Sequence, residues 1–237
     1  MTLHPFYAIV DYDLAHAHGW TVPALARACL DAGARLLQIR AKALGAAALL
    51  EVCEQVARDA AAYGATLIVN DRADIARLVP GAGVHVGQDD LPPALVRPVV
   101  GDDAIVGFST HTREQIDRAV IEPIDYLAVG PVFGTRTKDT GYEAIGLDLV
   151  RYAADAAARA AARRGDRPLP VVAIGGITLE TATLVLAAGA QSVAVISDLL
   201  VGAGPVARVR AFVECTARHP EPGPHRDGAG REQAGRR

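Results

Sequence analysis

The stretch TLIVNDRADIARLVPGAGVHVG, residues 66–87, contains the repeating unit of this chain. It begins and ends with short runs rich in β-branched residues, at 66–70 and 83–87, which are apolar at successive positions as buried parallel strands are. The segment between them, Ala73–Leu78, has helical periodicity. Residues 66–87 therefore predict a strand, a helix and a second strand of one parallel sheet.

The same unit recurs along the chain. Six further apolar runs lie at 6–11, 36–40, 104–109, 126–132, 170–176 and 192–197. Segments of helical period separate them, at Val22–Ala32, Ala46–Tyr63, Ala94–Val99, Arg113–Val120, Leu147–Arg164 and Leu179–Ala188. Eight strands with helical segments between them predict a single (β/α)8 TIM barrel.

We place this barrel domain at residues 1–217. Residues 218–237 are rich in proline, glycine and charge, and they predict a disordered tail. The alternative is a doubly wound open sheet, but no G-x-G-x-x-G follows the first strand, so a dinucleotide-binding fold is less favoured.

The composition excludes several classes of protein. The 237 residues are 51% hydrophobic and carry a net charge of −3 with both signs mixed, which argues against a nucleic-acid binder. No apolar run approaches the length of a membrane span, and the N-terminus lacks the features of a signal peptide. Three cysteines without C-x-x-C spacing indicate reduced thiols. We therefore expect a cytoplasmic protein that binds neither nucleic acid nor membrane, with homo-oligomer formation left open.

Rare residue types gather at the predicted strand ends, where a barrel carries its chemistry. The 24 basic residues include only two lysines, Lys42 and Lys138, and each follows a strand. The single asparagine, Asn70, and two of the three serines, Ser109 and Ser197, also end strands. The lysine ammonium is a compact point charge that suits a phosphate pocket, so this distribution favours an anionic ligand.

Two anion sites are predicted from these ends. Gln38, Arg40 and Lys42 lie two residues apart, so their side chains lie on the same side of the strand as far as the strand extends. We expect Gln38 and Arg40 either to pair with each other or to bind a ligand. Asp71 and Asp90 are suited to Mg2+, with Arg40, Lys42 and Lys138 neutralising a pyrophosphate. Gly176 and Ser197, after strands seven and eight, predict a second phosphate site. Such a pair indicates group transfer with pyrophosphate as the leaving group.

Single residues leave alternatives open. Asp71 is also placed to cap the next helix, and Asp11 is expected to line the rim without a further role. His85 is expected to be a hydrogen-bonded core residue rather than a ligand. His111 is balanced between a hydrogen bond at a helix start and a substrate contact.

Seven motifs in order resemble those of the thiamine-phosphate synthase family over residues 6–200. They are QIRAK (38–42), VNDRADIA (69–76), HVGQDDLP (85–92), GFSTHT (107–112), GPVFGTRTK (130–138), AIGGI (173–177) and VAVIS (193–197). The resemblance implies a TIM-barrel transferase of thiamine biosynthesis. Its substrates would be a hydroxymethylpyrimidine diphosphate and a thiazole phosphate, and its products thiamine phosphate and pyrophosphate.

The resemblance also implies the site residues. The pyrimidine diphosphate would be bound by Gln38, Arg40, Lys42, Asn70, Ser109 and Lys138, of which Arg40, Lys42, Ser109 and Lys138 would be catalytic. Asp71 and Asp90 would coordinate Mg2+. The thiazole phosphate would be held by Thr135, Thr137, Gly176, Ile196 and Ser197. The chain departs from the family pattern at Gly134 and Arg136, where proline is frequent near the threonines.

Other functions fit the residues less well. A thiazole tautomerase-like barrel would lack the pyrimidine diphosphate set that is present here. A non-catalytic phosphate sensor would not need two carboxylates suited to Mg2+. A sugar-phosphate isomerase would need a paired acid and base across the pocket, which the sequence does not indicate.

Overall fold

Eight parallel strands close into a barrel in which the last strand pairs with the first. The computed structural model of the chain describes residues 3–134 and 144–218. The strands are β1 (Phe6–Asp11), β2 (Leu36–Arg40), β3 (Thr66–Asn70), β4 (Gly83–Val86), β5 (Val106–Thr110), β6 (Tyr126–Val129), β7 (Val171–Ile174) and β8 (Ser192–Val195). The TIM-barrel prediction is confirmed and the open sheet is wrong. Residues 219–237 of the predicted tail lie outside the described residues.

Helices follow the strands and surround the barrel. Within the described residues they are α1 (Tyr12–Ala17), α2 (Val22–Asp31), α3 (Ala46–Ala62), α4 (Ala73–Leu78), α5 (Pro93–Val100), α6 (Arg113–Ala119), α7 (Gly146–Arg164), α8 (Ala182–Ala187) and α9 (Pro205–Ala217), with a 3-10 turn at Ser197–Leu200. Among these, no helix is long and apolar enough to cross a lipid bilayer.

Helices α1 and α9 lie outside the predicted helical segments, and α8 is shorter than predicted. Helix α1 follows β1 without a loop, because the Asp11 carboxylate accepts a hydrogen bond from the Leu14 backbone N–H and caps the helix. Helix α8 begins three residues later than predicted. Thr178 and Thr181 form a side-chain turn just before it, in which the Thr178 N–H donates to Thr181 Oγ1 at 2.9 Å.

Alternation along the strands separates two apolar layers. Residues such as Leu37 and Val69 face outward and pack with the helices in the larger cluster. Residues two positions apart, such as Tyr7 and Ile9, face the barrel axis in a smaller cluster with Tyr126. Polar side chains at inward positions near the strand ends are therefore brought together at the mouth of the barrel.

Tyr126 reaches the barrel axis because its neighbour on β5 is a glycine. Gly107 and Tyr126 are register partners, and a Cβ atom at Gly107 would lie 2.0 Å from Tyr126 Cζ. The tyrosine ring therefore occupies space that any other residue at 107 would fill. This close approach delivers a buried phenol hydroxyl to the middle of the barrel.

Candidate active site

A pocket of about 610 Å3, including its open mouth, lies at the carboxyl ends of the strands. Most of its lining comes from inward-facing residues at or near those ends. These are Tyr7, Ile9, Gln38, Arg40, Asn70, His85, Ser109, His111, Tyr126, Ala128, Gly130, Pro131, Val172, Ile174, Gly175, Ala194 and Ile196. The location agrees with the rule that TIM barrels carry active sites at this face.

The two sides of this pocket differ in chemistry. The wall from β2 to β5 is polar, with Gln38, Asn70 and Ser109 among its members. The wall from β7 and β8 is apolar and includes Val172 and Ala194. A flat, partly polar aromatic ring is the kind of ligand such a two-sided pocket suits.

Gln38 and Arg40 do not pair with each other. Gln38 Nε2 donates to the Tyr7 hydroxyl at 2.8 Å, and Arg40 forms an ion pair with Asp11. Asp11 therefore does more than line the rim, since one of its oxygens caps α1 and the other holds Arg40. Arg40 Nε is buried, and no described residue accepts its hydrogen. That donor is suited to an anionic ligand.

Lys42, Asp71 and Asp90 come together beyond the ends of β2, β3 and β4. Lys42 Nζ lies 3.0 Å from Asp71 Oδ2, and Asp90 Oδ2 accepts from the Gly87 N–H at 2.8 Å. Burial raises the pKa of Asp90 above its ordinary value; the neighbouring Asp71 carboxyl acts in the same direction, while the Gly87 N–H and Lys42 oppose it. Two carboxylates that repel each other in this way are stabilised by a cation.

The backbone at Asp71 has a left-handed conformation, with φ of 63°. Its N–H donates to the His85 carbonyl at 2.7 Å, which anchors the residue to β4. The N-cap of α4 is Arg72, without a side-chain capping bond, so the alternative that Asp71 caps this helix is wrong. Its carboxylate remains directed to Lys42 and Asp90.

This pair of carboxylates fits Mg2+. Magnesium is commonly held by one or two carboxylates, completed by water and substrate phosphate oxygens. Within residues 3–134 and 144–218, no group of three or more His, Cys, Asp or Glu side chains forms a denser metal site. Burial and the neighbouring Asp71 raise the pKa of Asp90. A bound Mg2+ would oppose this effect, because it would stabilise both carboxylates in their ionised form.

The ends of β7 and β8 form a compact backbone platform. Gly175 and Gly176 have positive φ, and a Cβ at Gly176 would lie 2.6 Å from the Gly134 carbonyl oxygen. Ser197 begins the 3-10 turn directly after Ile196, which lines the pocket. A short helical turn after β8 is the usual place of a barrel phosphate site.

Asp198 ties this platform together, and the sequence did not indicate it. Its Oδ2 accepts from Arg208 Nε at 2.9 Å and from the Leu179 N–H at 3.2 Å. Asp198 is buried and Arg208 nearly so. The loop after β7, the turn after β8 and helix α9 are therefore linked through one carboxylate.

On the floor of the pocket, five of the lining side chains form a continuous hydrogen-bonded chain. Gln38 bonds to Tyr7, the Tyr7 and Tyr126 hydroxyls lie 3.1 Å apart, and Tyr126 lies 2.9 Å from His85 Nδ1. His85 Nε2 is 2.7 Å from Ser109 Oγ. The prediction that His85 is a hydrogen-bonded core residue is confirmed. Sequence reasoning missed both tyrosines, whose signal was a polar group at an inward strand position.

His111 contributes its ring to the pocket lining. Its Nδ1 donates to the Gly130 carbonyl, whereas the start of α6 is capped by Thr112, which accepts from the Gln115 N–H at 3.2 Å. The His111 backbone N–H also bonds to Gln115. His111 thus makes a hydrogen bond at the helix start through its backbone, and a substrate contact of its ring stays a prediction.

Comparisons with known proteins cover most of this chain. The family model described as thiamine monophosphate synthase matches residues 6–199, which is most of the chain. The chain belongs to the thiamine-phosphate synthase family. Members of this family are transferases of thiamine biosynthesis, and the expected family is confirmed.

Individual relatives cover nearly the whole barrel. The thiamine-phosphate synthase of Acidothermus cellulolyticus is 44% identical over 81% of this chain and 86% of its own length. That of Koribacter versatilis is 41% identical over 90% of this chain and 96% of its own. Among solved structures, the thiamine phosphate pyrophosphorylase from Pyrococcus furiosus has a TM-score of 0.76 and 27% identity, over 90% of this chain and 96% of that one.

Three of the site residues that the family resemblance implies fall in a segment that the structure does not describe. Thr135, Thr137 and Lys138 lie outside the described residues. The described end of the preceding loop is held to β7, since the Phe133 N–H donates to the Gly175 carbonyl at 3.0 Å. The other predicted site residues all lie at the carboxyl ends of the strands, and their ligand roles stay predictions.

Proposed function

We propose that this chain joins hydroxymethylpyrimidine diphosphate to a thiazole phosphate, giving thiamine phosphate and pyrophosphate. The observation that carries the proposal is the convergence of Lys42, Asp71 and Asp90 beside a pocket that contains Arg40. The negative carboxylates suit a metal ion, and the positive side chains at the same end of the barrel suit the diphosphate that this metal would bind. Family membership supports the same reaction.

The two halves of the pocket divide the substrates. The pyrimidine ring lies against the polar wall, with Gln38, Asn70 and Ser109 as its partners. The thiazole phosphate lies toward the platform after β7 and β8, where the backbone N–H groups of Gly176 and Ser197 serve its phosphate. This arrangement brings the thiazole nitrogen toward the pyrimidine methylene carbon.

The reaction is a substitution at that carbon. The C–O bond breaks and its electron pair leaves with the diphosphate, while the ring amino group delocalises the positive charge that develops on the pyrimidine. The thiazole nitrogen then forms the new C–N bond with its lone pair. It carries no proton to lose, so no general base is needed.

The chain's own cations stabilise the leaving group. Arg40 is fixed by Asp11 and presents its Nε donor, and Lys42 and Lys138 add two ammonium charges. Removing one preorganised donor of this kind raises a reaction barrier by about 3–4 kcal/mol. A Mg2+ ion held by Asp71 and Asp90 would add further positive charge at the diphosphate.

The first test is pyrophosphate release from the purified chain. We expect release only when both substrates and Mg2+ are present, with each omission as its own control. Release without the thiazole phosphate would indicate hydrolysis rather than coupling. No release in the complete mixture would contradict the proposal, even if thiazole phosphate still bound.

We also propose that the enzyme is located in the cytoplasm. A reducing cytoplasm suits Cys29, Cys53 and Cys215, all of which are free thiols. Assembly into a homo-oligomer is a separate prediction, and sedimentation of the purified protein decides it.

A further inference from the structure

The five hydrogen-bonded side chains on the floor of the pocket donate in one direction, which follows from the donor and acceptor groups of each member. Gln38 Nε2 is an amide nitrogen and can only donate, so the Tyr7 oxygen accepts from it. The Tyr7 hydroxyl is fully buried, and among the described residues its other hydrogen-bond neighbour is the Tyr126 hydroxyl. Because a buried donor needs an acceptor, the Tyr7 hydrogen points to Tyr126.

The same count applies to the next link. Tyr126 accepts from Tyr7, and its other hydrogen-bond neighbour in the described part of the chain is His85 Nδ1. The Tyr126 hydrogen is therefore donated to Nδ1. Burial raises the pKa of both phenols, so both hydroxyls keep the hydrogens that this order requires.

The order of the chain then determines the tautomer of the imidazole. If Nδ1 carried a hydrogen, Tyr126 would face two donors and its own hydrogen would have no acceptor among the described residues. A neutral ring that accepts at Nδ1 carries its hydrogen on Nε2. That nitrogen lies 2.7 Å from Ser109 Oγ, so Ser109 accepts there, and its own hydrogen, which has no acceptor within residues 3–134 and 144–218, is available to a ligand.

We propose that Tyr7 and Tyr126 are positioning residues that hold His85 in the Nε2–H tautomer and make Ser109 a hydrogen-bond donor toward the substrate. Their geometry is built in, since Gly107 leaves room for the Tyr126 ring and any other residue there would overlap it. The rings of His85 and Tyr126 are also stacked, with centroids 5.5 Å apart. Ser109 thus presents a donor of defined direction to the pyrimidine ring.

The tautomer is tested directly by 15N NMR of the histidine-labelled full chain. The unprotonated and protonated ring nitrogens of a neutral histidine have well-separated shifts, and the His85 signals are assigned by their loss in His85→Gln. We expect an unprotonated Nδ1 and a protonated Nε2 in the wild type. The opposite tautomer, or a doubly protonated ring, would overturn the proposal whatever the enzymatic activity.

Single variants test the direction of the chain. Tyr126→Phe keeps the aromatic ring and removes the hydroxyl that donates to Nδ1. We therefore expect the 15N shifts of the two His85 ring nitrogens to change and kcat to fall about 10-fold. Tyr7→Phe removes the hydrogen that orients the Tyr126 hydroxyl but leaves Tyr126 able to donate to His85, so we expect a smaller change in the His85 15N shifts than in Tyr126→Phe, together with a higher KM for the pyrimidine diphosphate through Gln38. The control is Tyr152→Phe, which removes an exposed phenol bonded to Asp117 and should change neither property.

A double variant tests whether Tyr126 acts through Ser109. If it does, Ser109→Ala combined with Tyr126→Phe has the kcat of Ser109→Ala alone, because the shared interaction is already lost. If the double variant instead loses activity by the product of the two single-variant factors, the two residues act independently and the proposal is contradicted. These rate measurements rest on the synthase activity proposed above, whereas the tautomer measurement does not. Failure of the wild type to release pyrophosphate is therefore distinguishable from failure of this inference.

Discussion

The Lys42 ammonium lies 3.0 Å from the Asp71 carboxylate, just beyond the ends of β2 and β3. Lys42 is 53% exposed, so this ion pair adds little to the stability of the fold. Its consequence is electrostatic. In the proposed function, the carboxylates of Asp71 and Asp90 would hold the divalent metal, and the Lys42 ammonium would add positive charge at the diphosphate.

Removing one carboxylate from this cluster should weaken the response to magnesium. We expect Asp71→Asn to raise the Mg2+ concentration for half-maximal pyrophosphate release by at least about 10-fold, because a charged ligand is lost. The matched control is Asp74→Asn, which removes a nearby exposed carboxylate paired with Arg72. Identical Mg2+ titrations for the two variants would exclude Asp71 as a ligand.

Lys138 is predicted to stabilise the leaving diphosphate. Lys138→Ala should lower kcat by about 100-fold or more without changing the melting temperature, since the charge acts in the transition state. Arg151→Ala removes a cation from an exposed pair with Asp148 and serves as the control. Normal turnover in well-folded Lys138→Ala would contradict the assigned role.

Gly107 should be required for stability. Gly107→Ala places a methyl group 2.0 Å from Tyr126 Cζ, and we expect the free energy of unfolding to fall by about 1–3 kcal/mol. Gly134→Ala is the control, because no heavy atom of the described residues lies within 4 Å of its added Cβ. Urea denaturation of both variants measures the difference. Equal midpoints would mean that the ring moves aside at no cost.

The buried carboxylate of Asp198 should matter for both stability and phosphate binding. Asp198→Asn weakens its bonds to Arg208 and to the Leu179 N–H, so we expect a loss of about 1–3 kcal/mol and a higher KM for the thiazole phosphate. The exposed Asp148→Asn should change stability by less than about 0.5 kcal/mol. An unchanged KM with lowered stability would confine Asp198 to a structural role.

The cysteines should differ in reactivity. Burial raises the pKa of Cys29 and Cys53 to about 12, so at pH 8 neither forms the thiolate that reacts with disulfide reagents. We expect only the partly exposed Cys215 to react in the native protein and all three thiols to react in denaturant. Rapid reaction of three thiols without denaturant would contradict this burial.

The same burial makes stability depend on alkaline pH. The pKa of both buried thiols is raised from an ordinary value of 9.0. Their contribution is complete below about pH 9, and it is lost as the pH rises toward 12, because the unfolded chain ionises first. Unfolding midpoints measured across this range should fall with pH, and Cys29→Ala should reduce the slope.

The barrel and the position of its site were predictable because both depend on local order. Period-two and helical runs alternate along the chain, and the motifs that end the strands must meet at one face. The partners of Gln38 and Arg40 were not predictable. Of the two alternatives that the sequence left open for them, mutual pairing is wrong, since each bonds to a residue of β1, and ligand binding stays a prediction.

The sequence by itself determined the alternation of strands and helices, the reduced thiols and the identity of the rare polar residues at the strand ends. Only the tertiary structure decided which of them touch. Tyr7 and Tyr126 are 119 residues apart, and Tyr126 and His85 are 41 apart. They meet because closure of the sheet into a barrel directs the inward side chains of non-adjacent strands toward one axis. Contacts between residues so far apart in the chain cannot be predicted from local sequence patterns.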